Sequence, residues 1–277
     1  MLEVCVDSLE SAINAIHGAA NELEVCSSLT EGGLTPTIGL VQQIVRMTKN
    51  VSLGIPIYKT CVDCNCGKLI QVPKINIMIR CRTGSDFCYT DEEMDTMLSD
   101  IEIIKTMGVD RFVFGALTDK QEIDEENCKK VIAKAHPIPV TFHRAFDVCK
   151  DPIAAINTII SLRFSRLLTS GQKPCASDYE AMKMIKTLLD SHGKTIEIMP
   201  GAGVNVSNAK SFIDMGCKII HSSCKKSKSL PRIENNLCMG TNDSESVFVT
   251  DENIVKKMKQ AINCEKKDNY LLRMLLK

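Results

Sequence analysis

The chain has no tryptophan, and aromatic residues make up only 4% of it. That scarcity argues against stacking platforms for single-stranded nucleic acid, which need successive aromatic faces. Net charge is also missing: 34 basic residues balance 34 acidic ones. A basic track for nucleic acid is therefore not expected, nor a general attraction to acidic membranes. No apolar run approaches the ~18 residues of a membrane span. The start, Met1-Leu2-Glu3-Val4-Cys5-Val6-Asp7, lacks a basic region and a long apolar region. It reads as a first strand and not as a leader. No glycine-rich dinucleotide fingerprint follows that strand, so no nucleotide cofactor is expected. These absences together predict a cytosolic protein, able to reach the nucleus by diffusion.

Cysteine, by contrast, is abundant, with 14 in 277 residues. In the cytosol these should be thiols. Many lie in apolar runs, where a thiol behaves as a small hydrophobe. The hydrophobic share of 44% and charged share of 25% are ordinary for a globular domain.

Strand and helix patterns alternate along the chain. Strands are expected at Leu2 to Val6, Glu22 to Cys26, Ile75 to Ile79, Arg111 to Phe114, the run through Val140, Arg166 to Leu168, Thr195 to Met199 and Lys218 to Ile220. Each is followed by an amphipathic helical pattern, such as Ile38 to Met47, Asp124 to Ala135 and Tyr179 to Leu189. Asn50 to Lys74 breaks the rhythm and reads as an irregular insertion, and Lys225 to Ser246 reads as a polar loop. Eight strand–helix units in ~250 residues are the arithmetic of an α/β, (β/α)8 barrel. A doubly wound open sheet usually has fewer. The expectation is one domain over residues 1–277, with the insertion at about 50–74.

The strand ends of a barrel open on one face, where ligands bind. One strand ends in Thr141-Phe142-His143-Arg144-Ala145-Phe146-Asp147, which puts an imidazole, a guanidinium and a carboxylate where burial stops. The same face should carry Glu3, Cys5, Glu24, Cys26, Arg80, Arg82, Ser170, Gly201, Gly203, His221 and Ser222. A charge at a strand end is costly unless paired. These residues therefore form either a ligand pocket or an internal Glu–Arg network. The glycines at 201 and 203, with Ser222, match the usual barrel phosphate position. Arg80, Arg82 and Arg144 would add bonds to an anion. Cys5 and Cys26 close neighbouring strands, about 4.8 Å apart in a sheet, so their sulfurs are candidates to share one soft ion such as Cu(I). Cys61, Cys64 and Cys66 have the spacing of half a metal site, with Cys81 and Cys88 as candidates for a completing ligand.

Several of these stretches are long enough to be specific. Glu3 to Ser8, Glu24 to Ser27, Glu31 to Pro36, Met78 to Arg80 with Arg82 and Asp86-Phe87, Phe114 to Thr118, Thr141 to Asp147, Leu168 to Gly171 and Met199 to Gly201 resemble the CutC family of copper homeostasis proteins. The resemblance runs from Leu2 to about Ser223. It implies a (β/α)8 barrel, a cytoplasmic homodimer and Cu(I) handling, with the proposed copper thiols falling on Cys5 and Cys26. The chain departs from the family pattern at Gly18 to Glu22 and Arg80 to Gly84, and its Asn50–Lys74 stretch is longer. Two functions follow. One is a copper-binding protein using Cys5 and Cys26. The other is a barrel enzyme in which His143, Arg144 and Asp147 act on a small phosphate- or carboxylate-bearing substrate. A barrel scaffold working through protein partners is a third, plainer option.

Overall fold

A computed structural model describes residues 1–53, 72–231 and 246–263. Strand and helix alternate as β1 (Leu2–Val6), α1 (Leu9–His17), β2 (Glu22–Val25), α2 (Ile38–Ser52), β3 (Lys74–Met78), α3 (Asp91–Lys105), β4 (Arg111–Phe114), α4 (Glu125–Ala135), β5 (Val140–Phe142), α5 (Pro152–Ser161), β6 (Arg166–Thr169), α6 (Tyr179–His192), β7 (Glu197–Pro200), α7 (Ala209–Met215) and β8 (Ile220–Ser222). Then come β9 (Lys225–Ser229), β10 (Ser246–Thr250) and α8 (Glu252–Asn263).

All eight strands from β1 to β8 pair in parallel in one sheet, in the order β7-β6-β5-β4-β3-β2-β1-β8. The sheet curls into a nearly closed barrel. At its seam, a Cβ on Gly201, just past β7, would lie 3.3 Å from the His221 ring of β8. The outward strand residues are apolar and pack under the helices. Val4, Val6, Leu23, Val25, Ile75, Ile77, Phe112, Phe114 and Phe142 belong to one continuous core. This is the period-2 pattern expected of strands whose two faces differ.

Local signals set the helix starts. Ser8 caps α1 by accepting from the Ser11 N–H, and Thr90 with Glu93 forms a reciprocal capping box on α3. Asp151 precedes Pro152 and accepts from the Ile153 and Ala154 N–H groups. Two expectations need correction. α2 runs to Ser52 and Lys74 already belongs to β3, so regular structure reaches inside both ends of the Asn50–Lys74 stretch, whose interior lies outside the described residues. The stretch from Lys225 is not all loop. β9 and β10 pair antiparallel, with Lys225 opposite Thr250 and Ser229 opposite Ser246. The Thr250 N–H donates to Ser11 Oγ and Asn14 Nδ2 donates to the Thr250 carbonyl, which lays the hairpin on α1.

The barrel interior is polar where the strands begin. Arg166 is buried and bonds to three carboxylates: Glu22 at 2.7 Å, Glu197 at 2.6 Å and Glu3 at 3.4 Å. Asn76 donates its amide to Glu22 and Glu3. The internal Glu–Arg network therefore exists, but it is built on Arg166 and not on Arg80.

Candidate functional site

Strand register decides which side chains meet at the barrel mouth. Glu3 lies opposite Glu22, and Cys5 opposite Glu24. On the other side of β1, Glu3 lies opposite His221. Odd positions of β1 point inward, so Cys5, Glu24 and His221 converge. One donor atom from each lies within 4.8 Å of the others, and all three residues are buried. Among the described residues this is the one group of three or more Cys, His, Asp or Glu with metal-ligand proximity.

His221 is held in a defined orientation. Its Nδ1 lies 2.8 Å from Glu3 Oε1, leaving Nε2 toward Glu24, 3.7 Å from Oε2. A carboxylate behind a histidine is the usual way to aim the other ring nitrogen at a metal. Burial alone would lower the imidazole pKa. The neighbouring Cys5 and Glu24, and the bond to Glu3, outweigh it and hold the pKa well above the ordinary value. Glu24 is fully enclosed. Burial, reinforced by the charge of Glu3, pushes its carboxyl up to about 7 against the opposing pull of His221. Its Oε1 is buried without a hydrogen-bond partner. A buried carboxylate oxygen with no donor carries a full desolvation cost, which a cation would offset.

Cys26 is not in that group. It sits past the end of β2, two residues beyond the level of Cys5, and donates weakly to Glu24 Oε2 at 3.5 Å. Burial and the Glu24 charge push its thiol well above the ordinary range. Its neighbours are Met78, Val113 and Leu29. Gly33 leaves room for it: a Cβ there would come within 3.2 Å of Cys26 Sγ. The two thiols thus flank Glu24 instead of facing each other alone.

The residues expected to line an anion pocket are largely engaged with their own loops. Arg80 donates to the carbonyls of Glu31, Gly33 and Gly84, tying two loops together. Arg82 is engaged by Asp86 and Glu93. Arg144 bonds to Asp147 at 2.8 Å and to Ser170 Oγ. Ser222 Oγ donates to the Val204 carbonyl. Gly201 provides space for Leu168 and His221, and Gly203, at φ +72°, lies against Cys175. These residues mainly hold loops, although Arg80 Nε is buried without a partner.

His143 is buried at the end of β5. Its Nδ1 accepts the Ala145 N–H, so Nε2 carries the proton, and that group is buried without a partner. Burial, with Arg80 and Arg144 nearby, lowers its pKa to about 3. The ring is a neutral donor packed against Phe87 and Phe142. Asp147 is a latch: it accepts from Thr169 Oγ1, both the N–H and the hydroxyl of Ser170, and the Gln172 N–H.

Cys61, Cys64 and Cys66 lie outside the described residues. Cys81 and Cys88 are free thiols and join no metal-ligand group among the described residues. His221 could be placed on the mouth from the sequence, but its link to Cys5 could not. Nothing local marked Arg166, because a charge at the start of a strand is ordinary at an exposed edge.

The CutC family model matches residues 1–61 and 64–226. A mouse protein described as a copper homeostasis protein cutC homolog is 40% identical over 229 residues, covering 82% of this chain and 75% of its own. The Drosophila melanogaster homolog is 35% identical over 267 residues, covering 93% and 92%. Among solved structures, the putative copper homeostasis protein CutC from Streptococcus agalactiae superimposes with a TM-score of 0.69 at 27% identity, covering 80% of this chain and 98% of that one. With the barrel and the motifs at its mouth, these matches show that the chain belongs to the CutC family.

Proposed function

We propose that the protein binds Cu(I) at the mouth of the barrel as a cytosolic participant in copper homeostasis, with Cys5 as the thiolate ligand. The observation that carries this reading is the convergence of Cys5, His221 and Glu24 within 4.8 Å, with one Glu24 oxygen left unsatisfied. A thiolate and an imidazole suit a soft monovalent copper ion, whereas a carboxylate is a poor ligand for it. Glu24 therefore serves as the balancing charge and as acceptor for the Cys26 thiol. Cys26 is the second sulfur in reach, and Glu3 keeps His221 aimed.

The test is an anaerobic Cu(I) titration against a competing chelator. The parent should take up one tight equivalent. Cys5→Ser should lose it, by over ~100-fold in affinity, and His221→Gln should weaken it by ~10- to 100-fold. Several weak equivalents, unchanged in Cys5→Ser, would mean that copper is incidental to a cysteine-rich chain. The same reading carries a homodimer, which sedimentation of the protein would check.

A further inference from the structure

Cys5 is not sealed in. It forms part of the wall of a pocket of about 330 Å³ between the β1 end, the turn at Leu29–Thr30 and the β9–β10 hairpin. One water occupies ~30 Å³ of liquid, so this space is far larger than an ion with its ligands needs. It falls at the lower end of small-molecule pockets. Its walls divide by chemistry. Leu29, Leu230, Val247 and Phe248 supply an apolar side, and Lys225 and Asp7 are its charged groups. Asp7 turns one oxygen to the Leu29 N–H, at 3.1 Å. The Lys225 ammonium stands 4.3 Å from the centre of the Phe248 ring. A cation above an aromatic face, beside a buried thiol, is an arrangement for a small organic anion that also bears a soft donor.

We propose that this pocket receives copper as its complex with a small carboxylated thiol, and that the carrier hands Cu(I) to Cys5 inside it. The inference rests on the copper reading of the Cys5–His221 site. Lys225 takes the carrier's carboxylate and Phe248 covers its carbon chain, which holds the carrier sulfur beside Cys5. The transfer is a ligand exchange. A bond from copper to Cys5 Sγ forms as one from copper to the carrier sulfur breaks. The Cys5 thiol proton leaves with the freed carrier thiolate, the proton displaced from His221 Nε2 passes to water, and copper remains Cu(I) throughout, so no oxidant or reductant is needed.

The experiment compares two donors under anaerobic stopped flow: the Cu(I) complexes of N-acetylcysteine and of its uncharged amide. The readout is the ratio of their transfer rates, measured in the full-length parent and in Lys225→Gln. The parent should take copper from the carboxylated donor about fivefold faster, the worth of one partly exposed ion pair. In Lys225→Gln the ratio should fall to about one. A parent ratio near one, or an elevated ratio that survives the substitution, overturns the inference. Equilibrium titration separates the two levels. If the parent shows no tight equivalent, the copper site itself is wrong and the inference falls with it. If the tight equivalent is present and the ratio is one, only carrier recognition is wrong.

Discussion

At the residue scale, the two histidines of the barrel mouth are driven in opposite directions. His221 has two carboxylates and a thiol around it and holds its proton above the ordinary range. In the proposed site, copper would displace that proton from Nε2. Affinity should therefore rise with pH, by up to tenfold per unit for each proton displaced, over the range where the ring is charged. Competition titrations at several pH values check this, and His221→Gln should flatten the slope. His143 is neutral and buried, with its pKa lowered to about 3. The unfolded chain, with an ordinary imidazole near 6.5, binds the extra proton between those values. The stability His143 contributes is therefore complete above about pH 6.5 and is lost as pH falls. The loss at pH 5 should be about 2 kcal/mol. Urea unfolding of the parent at pH 7 and pH 5 measures it, and His143→Gln should show a smaller difference between the two.

At the element scale, loops are held by charged side chains used as braces. Asp147 ties the turn after β5 to the turn after β6, accepting from Thr169, Ser170 and Gln172. Asp147→Asn replaces one acceptor oxygen by a donor and leaves those groups underserved. It should cost about 2 kcal/mol in urea unfolding. It should also speed amide exchange at Ser170 and Gln172, with little effect on copper affinity. An unchanged exchange rate at these amides would refute the latch. The His143-to-Asp147 run was legible as a special segment because its charges sit where a strand ends. Its purpose was not, because the partners of Asp147 come from the next strand–helix unit.

At the scale of the whole molecule, the polar floor and the proposed copper site share a residue. Glu3 accepts from Arg166 with one oxygen and meets His221 with the other. Arg166→Met would strand Glu3 and Glu22 in the barrel interior. A loss of 3–5 kcal/mol is expected, as for a broken buried ion pair. Any Arg166→Met protein that still folds should also bind Cu(I) more weakly, because Glu3 then no longer fixes the His221 ring. Chelator competition on that variant checks the coupling, and unchanged affinity would show that floor and mouth are independent.

The barrel follows from local information. Strand and helix alternate along the chain, and the starts of several helices are written in a few adjacent residues such as Ser8 or Thr90-Glu93. The placement of Cys5 and Cys26 at the ends of neighbouring strands was likewise readable. What joins them was not. Register sets Cys5 level with Glu24 and carries Cys26 two residues higher. Barrel closure then brings His221, from the other end of the chain, beside β1. The β9–β10 hairpin, whose lysines and serines look like a loop, becomes a wall of the pocket over Cys5 because it packs on α1. Local propensity selects elements from neighbours in sequence, whereas stagger and closure depend on how all eight strands pack at once. The sequence by itself therefore determined the strands, the helices and the thiols, and only the tertiary structure decided which side chains share one site.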